Sequence, residues 1–516
     1  MLDIAKKPDC LEARGQKRGA AWQVWLAVLT AALVLYVCTL APDVVWQDQG
    51  DYQYQAARCN LHRPGDVVRV HPLFIILAHG LGRLGVFSYA YAANLVSAIT
   101  TALTVANVFL LVYWLTGRWW PGILSAAVFA MAHSVWFLAV QAQSYGPANA
   151  AMSAGVLLTA AYIQTGRRHY LYWMGFIFGI GITAHMMSQI AFIVIVVWLL
   201  VECVRRRLAV YSLLLVLFLW VLGAGLLWVV MVQEYLHTDS LWLTIQSALW
   251  GRWGMAVFNL NRVGVLAKRS MQFFVLNFPT PLVLLAAPGA WLSGRKMVPK
   301  TLAWLLGCFT VLYAVFAFRY DVRNQNNFFL PMYLFVSVYI GLGFHYLADI
   351  RRKRGIVISL ILLIGLIPTY RLIAHVAEKR KLDLGTRRHI PYRNVYQYYL
   401  LPWQQGQTGP RRFGREMFTK LPPAAVLVAD STTIPLFRYM QEIEEKRPDV
   451  TLVGIGADMD FYSLLREGIR IFVLSDVDRY YPQWILHKEW LQPFSLSDTE
   501  HVFEVVIPQD DPVWKL

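Results

Sequence analysis

Apolar stretches about as long as a bilayer is thick recur through most of this chain, and no other feature limits its fold so strongly. About 20 predominantly apolar residues cross the hydrocarbon core as a helix. Stretches of that kind lie at 22–41, 89–114, 120–140, 146–163, 170–186, 189–204, 209–233, 273–294, 300–318, 328–348 and 355–373, so eleven spans are expected. The first is too long for the core of a signal peptide and lacks a cleavage site, so it reads as an uncleaved anchor. With 57% hydrophobic and only 15% charged residues, against about a quarter charged in an average soluble chain, a soluble multidomain enzyme is excluded.

The charge balance then has to be read against those spans. Lys and Arg number 47 and Asp and Glu 31, a formal net charge of +16. Such an excess can mark nucleic-acid binding, or it can mark the cytoplasmic loops of a membrane protein. With a cytoplasmic amino terminus, the inner segments hold Lys6, Lys7, Arg14, Lys17 and Arg18, then Arg118, Arg167 and Arg168, and Arg205 to Arg207. Arg295, Lys296 and Lys300, and finally Arg351 to Arg354, complete the set. Every inner segment is basic, so the excess is an orientation signal. The basic clusters are flanked by spans, and nucleic acid drops out as a partner.

This topology divides the chain into a cytoplasmic tail (1–21), a membrane domain (22–373) with outer loops 42–88 and 234–272, and a connector (374–410). Residues 411–516 then form an extracytoplasmic domain. Within it AAVLVAD (424–430), TLVGIGA (451–457), IRIFVLSD (469–476) and VFEVVIP (502–508) read as strands, and 434–446 and 459–467 as helices. The alternation predicts a small α/β domain with a mainly parallel sheet. The five Cys are scattered with no CxxC spacing, so neither a zinc site nor a disulfide framework is indicated.

Three polar constellations stand out. The first outer loop carries Trp46-Gln47-Asp48-Gln49-Gly50-Asp51-Tyr52, then Arg58, His62, Arg63, Arg69 and His71-Pro72. Carboxylates such as Asp48 and Asp51 at a membrane surface can take a proton from a hydroxyl or hold a divalent cation; Asp and Gly are also ordinary turn residues. His185, inside GIGITAHMMSQI, is an ionisable group at membrane depth and so either functional or a neutral imidazole bonded to backbone in a helix break. Arg319-Tyr320-Asp321-Val322-Arg323 offers two guanidinium groups able to grip a phosphate, or to snorkel to headgroups; Lys268 and Arg269 carry the same two readings. No P-loop, GxSxG or HExxH occurs, which argues against ATP-driven transport and the common hydrolases.

The order of these segments resembles the GT-C superfamily of membrane glycosyltransferases, in its protein O-mannosyltransferase-like branch. A first span ends in APDVVWQDQGDYQ, HPLFIILAHGLGRL follows, and the next span opens NLVSAITTALTVANVFLL. Asp48 and Gly50 fall on the branch's Asp-Ser-Gly-Glu pattern, with Asp51 at the Glu position. His71 and Pro72 fall on His-Pro-Pro-Gly-Tyr-Pro, whose Pro-Gly-Tyr portion is missing here. HSVWFLAVQAQSYGPANA keeps Trp136 and Tyr145 of a Trp-then-Glu-Val-Tyr element, with Gln143 where Glu is expected. GIGITAHMM places His185 on the His of a Gly-Leu-Ser-x-x-Asn-His run. RYDVRNQNNFFLPMYLFVSVYIGLG is similar to a late Tyr-x-x-x-Asp…Phe-Leu-Pro-x-Tyr element, and PPAAVLVADSTTIPLFRYMQEIEEKRPDV to the branch's extracytoplasmic domain.

The resemblance implies a polytopic α-helical enzyme, in the inner or plasma membrane of a bacterium, that passes sugar from a polyprenyl phosphate to a protein or glycan hydroxyl outside. Asp48 would be the base, with Asp51 positioning the acceptor or sharing a divalent cation with it. His71, His185, Lys268, Arg269, Arg319, Tyr320 and Arg323 would meet the donor phosphate, and Trp46, Gln143 and Tyr145 the sugar or acceptor. A flippase of lipid-linked saccharides shares the spans and the phosphate-binding Arg, though not the need for paired outer carboxylates. A non-catalytic envelope-assembly subunit fits the departures at Gln143 and after Pro72.

Overall fold

The computed structural model describes residues 9–257, 262–322, 324–386 and 388–515. Among them six helices are long and apolar enough to cross a membrane: Ala21–Cys38, Tyr89–Thr116, Met186–Val204, Lys300–Arg319, Gln325–Leu347 and Lys353–Lys379. Three pairs qualify together but are bent: Trp119–Met131 with His133–Ala139 by 69°, Val210–Gly223 with Gly225–Thr238 by 61°, and Val263–Asn277 with Pro281–Arg295 by 106°. The breaks have local causes. Ala132 is extended between its two helices, and Pro281 opens a new turn after Thr280. The remaining expected spans are the helices Tyr145–Thr165 and His169–Ala184; the second has 16 residues, short for a straight crossing. Six to nine helices among the described residues therefore meet the length and composition of a span, against eleven stretches read from the sequence.

Lipid tails are as apolar as Leu, so packing between spans relies on close backbone approach at small residues. A Cβ on Gly289 would lie 1.9 Å from the Tyr339 carbonyl oxygen, and one on Gly343 would lie 2.0 Å from that of Leu285. The two segments thus touch backbone to backbone. Tyr89–Thr116 and Gln325–Leu347 are the most enclosed spans.

The carboxy-terminal region holds a five-stranded sheet of β1 (Val426–Ala429), β2 (Thr451–Gly454), β3 (Ile471–Val473), β4 (Leu491–Ser495) and β5 (His501–Val505), ordered β2-β1-β3-β5-β4. Pairs β1/β2 and β1/β3 are parallel, and β3/β5 and β4/β5 antiparallel. The sheet is thus evenly mixed where a mainly parallel one was expected. The difference lies in β4: Pro493 hid it in the sequence, and as an edge strand it tolerates a residue that cannot donate to the ladder.

This region sits on the first outer loop. Arg411 bonds Asp43 through Nε (2.5 Å) and Nη2 (2.7 Å), and Glu444 through both terminal nitrogens at 2.6 Å. Tyr54 donates to Glu442 at 2.7 Å, and the Tyr439 hydroxyl accepts from the Ala90 amide at 3.0 Å. Ala90 lies at the start of the Tyr89–Thr116 helix and Arg118 just past its end, ~42 Å away at 1.5 Å per residue. The sheet and the 42–58 segment therefore share one face, and the basic Arg118 lies at the opposite one.

Candidate active site

The 42–88 segment is folded, not merely solvated. Gln47–Arg58 is a helix, entered through Gln47 at φ 63°. Gly50 is required there: a Cβ would stand 2.5 Å from the Val45 carbonyl oxygen. Gln53 is fully buried and ties the helix down, accepting from Val45 N and donating to Asn94 Oδ1 (3.0 Å) and the Asp43 and Ala90 carbonyls. Buried amides of this kind are costly unless bonded, so the clamp to Asn94 fixes where the helix stands.

Asp48, in the first turn, is held at both oxygens. Oδ1 accepts from Arg69 Nη2 at 3.1 Å, and Oδ2 from Asn324 Nδ2 at 3.4 Å. Its side chain is 47% exposed, so it is anchored yet open. Asp51, one turn on, turns to a different set: it pairs with Arg63 and accepts from Gln55 Nε2 at 3.0 Å. Arg69 also reaches Asp66 at 3.5 Å. Burial works against the Arg69 charge, but Asp48, then Tyr52, Asp66 and Asp51, more than restore it, and its proton affinity rises.

Behind Asp48 stands a column of rings. Tyr52 lies 5.4 Å from His71. His71 stacks on His185 at 5.0 Å and 13°, and His185 stacks in turn on Tyr145 at 4.8 Å. Phe328 meets Tyr145, His185 and Tyr320 edge-on, the last at 4.4 Å. His71 is pulled far below the usual histidine range, first by burial and then by the neighbouring His185, Arg69 and Arg63. Burial, then the charge of Asp48, raises the Tyr52 phenol.

Residues read separately from the sequence are thus brought together: His71, His185, Tyr145 and Tyr320 in one column, with Asp48 at its mouth. Others go elsewhere. Trp46 is buried against Phe413, with ring centroids 5.9 Å apart. Gln143 is buried and linked through its backbone to Ser97 Oγ at 2.8 and 3.1 Å. Arg269 pairs with Asp321 at 3.2 Å, Lys268 is exposed, and Arg319 is half-buried with its Nε unbonded among the described residues. Arg323 lies outside the described residues. Arg69 and Asn324 received no role from the sequence; the Asn-rich run after Arg323 was the available signal for the second. No group of three His, Cys, Asp or Glu gathers as a metal site among the described residues, and each of the two candidate carboxylates faces an arginine instead.

The helices that carry Arg269 and Arg319 also line an apolar cavity of about 430 Å³, with Met271, Phe274, Phe318, Phe329, Met332 and Tyr333 among its walls.

The fold is that of the GT-C class of membrane glycosyltransferases. ArnT from Cupriavidus metallidurans bound to undecaprenyl phosphate superposes with a TM-score of 0.57 at 13% identity, over 94% of this chain and 99% of that one. Its apo state gives 0.56 at 14% identity, over 95% and 100%. Sequence comparison adds two likenesses. The family described as the protein O-mannosyl-transferase TMEM260 N-terminal domain matches residues 48–208, a stretch that begins on Asp48 and includes His71, Gln143, Tyr145 and His185. Protein O-mannosyl-transferase TMEM260 of Mus musculus is 25% identical over 471 residues, 85% of this chain and 63% of the mouse protein, so the chain spans less than two thirds of that relative's length. The resemblance read from the motifs holds.

Proposed function

We propose that this protein is an integral-membrane glycosyltransferase that moves a sugar from a polyprenyl-phosphate donor to a hydroxyl on the extracytoplasmic side, a protein hydroxyl being the acceptor its O-mannosyl-transferase relative suggests. The observation that carries the reading is Asp48: a carboxylate held by Arg69 and Asn324, half exposed at the mouth of a buried aromatic column, on a GT-C fold. The Asp48 face and the carboxy-terminal domain face outward, and the basic helix ends inward with the amino terminus.

In the transfer, Asp48 takes the proton of the acceptor hydroxyl as its oxygen bonds to the anomeric carbon. The bond from that carbon to the phosphate oxygen breaks, its electron pair leaves with the phosphate, and the anomeric centre inverts. Arg69 fixes the carboxylate. Arg269 and Arg319, on the helices that line the apolar cavity, would meet the lipid phosphate, and the cavity suits an isoprenoid chain. Undecaprenyl phosphate bound to ArnT is such a lipid in a protein of this fold. Asp51, paired with Arg63, positions Asp48's helix and does not touch the reacting atoms.

The test is to reconstitute the full chain in liposomes with a labelled polyprenyl-phosphate sugar and hydroxyl-bearing peptides. Label appearing on peptide supports the reading; label that only crosses the bilayer would replace it with a flippase.

A further inference from the structure

The parallel part of the sheet runs β2-β1-β3; the connection after β1 runs to one side, toward β2, and the one after β3 to the other, toward β4, which defines a crevice at the carboxyl ends of β1 and β3. In open sheets ligands bind at such switch points. Here Asp430 follows β1 and Leu474 follows β3, and both are engaged from the connector by one residue. Arg388 pairs with Asp430 and donates from Nη1 to the Leu474 carbonyl at 3.4 Å. Its guanidinium also lies 4.7 Å from the Tyr480 ring.

The crevice contains more positive charge than its partners answer. Arg393 is 6% exposed and sits over the Tyr398 and Tyr399 rings at 5.7 and 5.6 Å, yet its Nε and Nη1 are buried without a hydrogen-bond partner among the described residues. The buried Tyr392 hydroxyl is likewise unbonded, on a residue held at φ 61°, a backbone state unusual for a bulky side chain. Burial lowers the proton affinity of Arg388, Asp430 opposes that, and the nearby Arg393 charge adds to it. Two buried guanidinium groups and one carboxylate leave a net positive charge, and the Nε and Nη1 groups of Arg393 have nothing to bond among the described residues, an arrangement that is costly unless an anion completes it.

The crevice opens toward the site already described. Thr432, two residues past Asp430, accepts at its carbonyl from the Gln47 amide at 2.9 Å, and Gln47 Nε2 donates to the Tyr399 hydroxyl at 3.1 Å. Gln47 is the neighbour of Asp48. At its other oxygen Asp48 is reached by Asn324, from the loop that also holds Asp321, the partner of Arg269.

We infer that Arg393, with Arg388 and Tyr392, forms an oxyanion-binding subsite that recognises a phosphate or carboxylate group on the acceptor, on the side of Asp48 away from the lipid donor. The side assignment rests on the transferase reading above; the anion site does not.

The test uses the full chain in detergent and follows thermal unfolding by Trp fluorescence, with inorganic phosphate against chloride at equal ionic strength and, separately, with farnesyl phosphate as a donor mimic. A ligand that binds only the folded state raises the midpoint. Phosphate is expected to raise the wild-type midpoint by several degrees. Arg393→Gln should lose that rise, Arg393→Lys should keep part of it, and all three should respond alike to farnesyl phosphate. A wild type indifferent to phosphate beyond chloride overturns the site whether or not the variants fold. A phosphate response intact in Arg393→Gln overturns it as well, and loss of the farnesyl phosphate response in that variant would assign the subsite to the donor. Because no turnover is read, failure of the transferase reading leaves these outcomes interpretable.

Discussion

His71 and His185 stack face to face, their ring centroids 5.0 Å apart and their planes 13° from parallel. One caps the start of the helix Pro72–Gly82 and the other the end of the helix His169–Ala184, so the contact joins two segments that the sequence presents as unrelated. It also keeps an imidazole where protonation is penalised. Burial, His185 and two arginines hold His71 neutral.

That neutrality has a signed consequence for stability. An unfolded histidine takes up a proton near pH 6.5, while folded His71 does so only at far lower pH. Its contribution is therefore complete above about pH 6.5 and is lost as pH falls, by about 1.4 kcal/mol per unit. The unfolding midpoint should drop between pH 7 and pH 5, and His71→Gln should flatten the drop. An equal slope in both proteins contradicts the assignment.

Gly50 tests the entry to the helix that carries Asp48. A methyl group there meets the Val45 carbonyl oxygen at 2.5 Å, and backbone cannot yield as a side chain can. Gly50→Ala should cost about 1–3 kcal/mol of stability, and turnover should fall more than the stability loss alone explains because Asp48 shifts with the helix. Paired midpoint and rate measurements decide it.

Arg411 tests the seating of the carboxy-terminal domain. It is mostly buried and answers both Asp43 and Glu444. Removing one partner of a fully buried pair costs about 3–5 kcal/mol; partial exposure here reduces the expectation to about 1–3 kcal/mol. Arg411→Ala should speed amide exchange in residues 409–454 while the spans stay protected. Unchanged exchange would show that the apolar contacts hold the domain alone.

Much of this architecture was legible because its cause is local. A bilayer demands long apolar runs, and every stretch read as a span holds one or two α-helices among the described residues. Four of five strands were visible as β-branched runs, and β4 was hidden by Pro493. The site was legible in part. Asp48 and His71 belong to the densest polar run of the sequence and His185 is an ionisable group at membrane depth, whereas the pairing of Asp48 with Arg69 and Asn324 depends on how three distant segments pack, which no spacing encodes. The same holds for Gln143, which looked like a site residue and is fixed by Ser97 in the interior.

The measurement that bears most directly on the account is the single-turnover rate of Asp48→Asn, with labelled polyprenyl-phosphate sugar and a hydroxyl acceptor. Asparagine keeps the shape beside Arg69 and Asn324 but cannot take the proton. The rate should fall about 10²–10⁴-fold with the unfolding midpoint within a few degrees of wild type. A folded Asp48→Asn protein that transfers sugar at the wild-type rate would contradict the account.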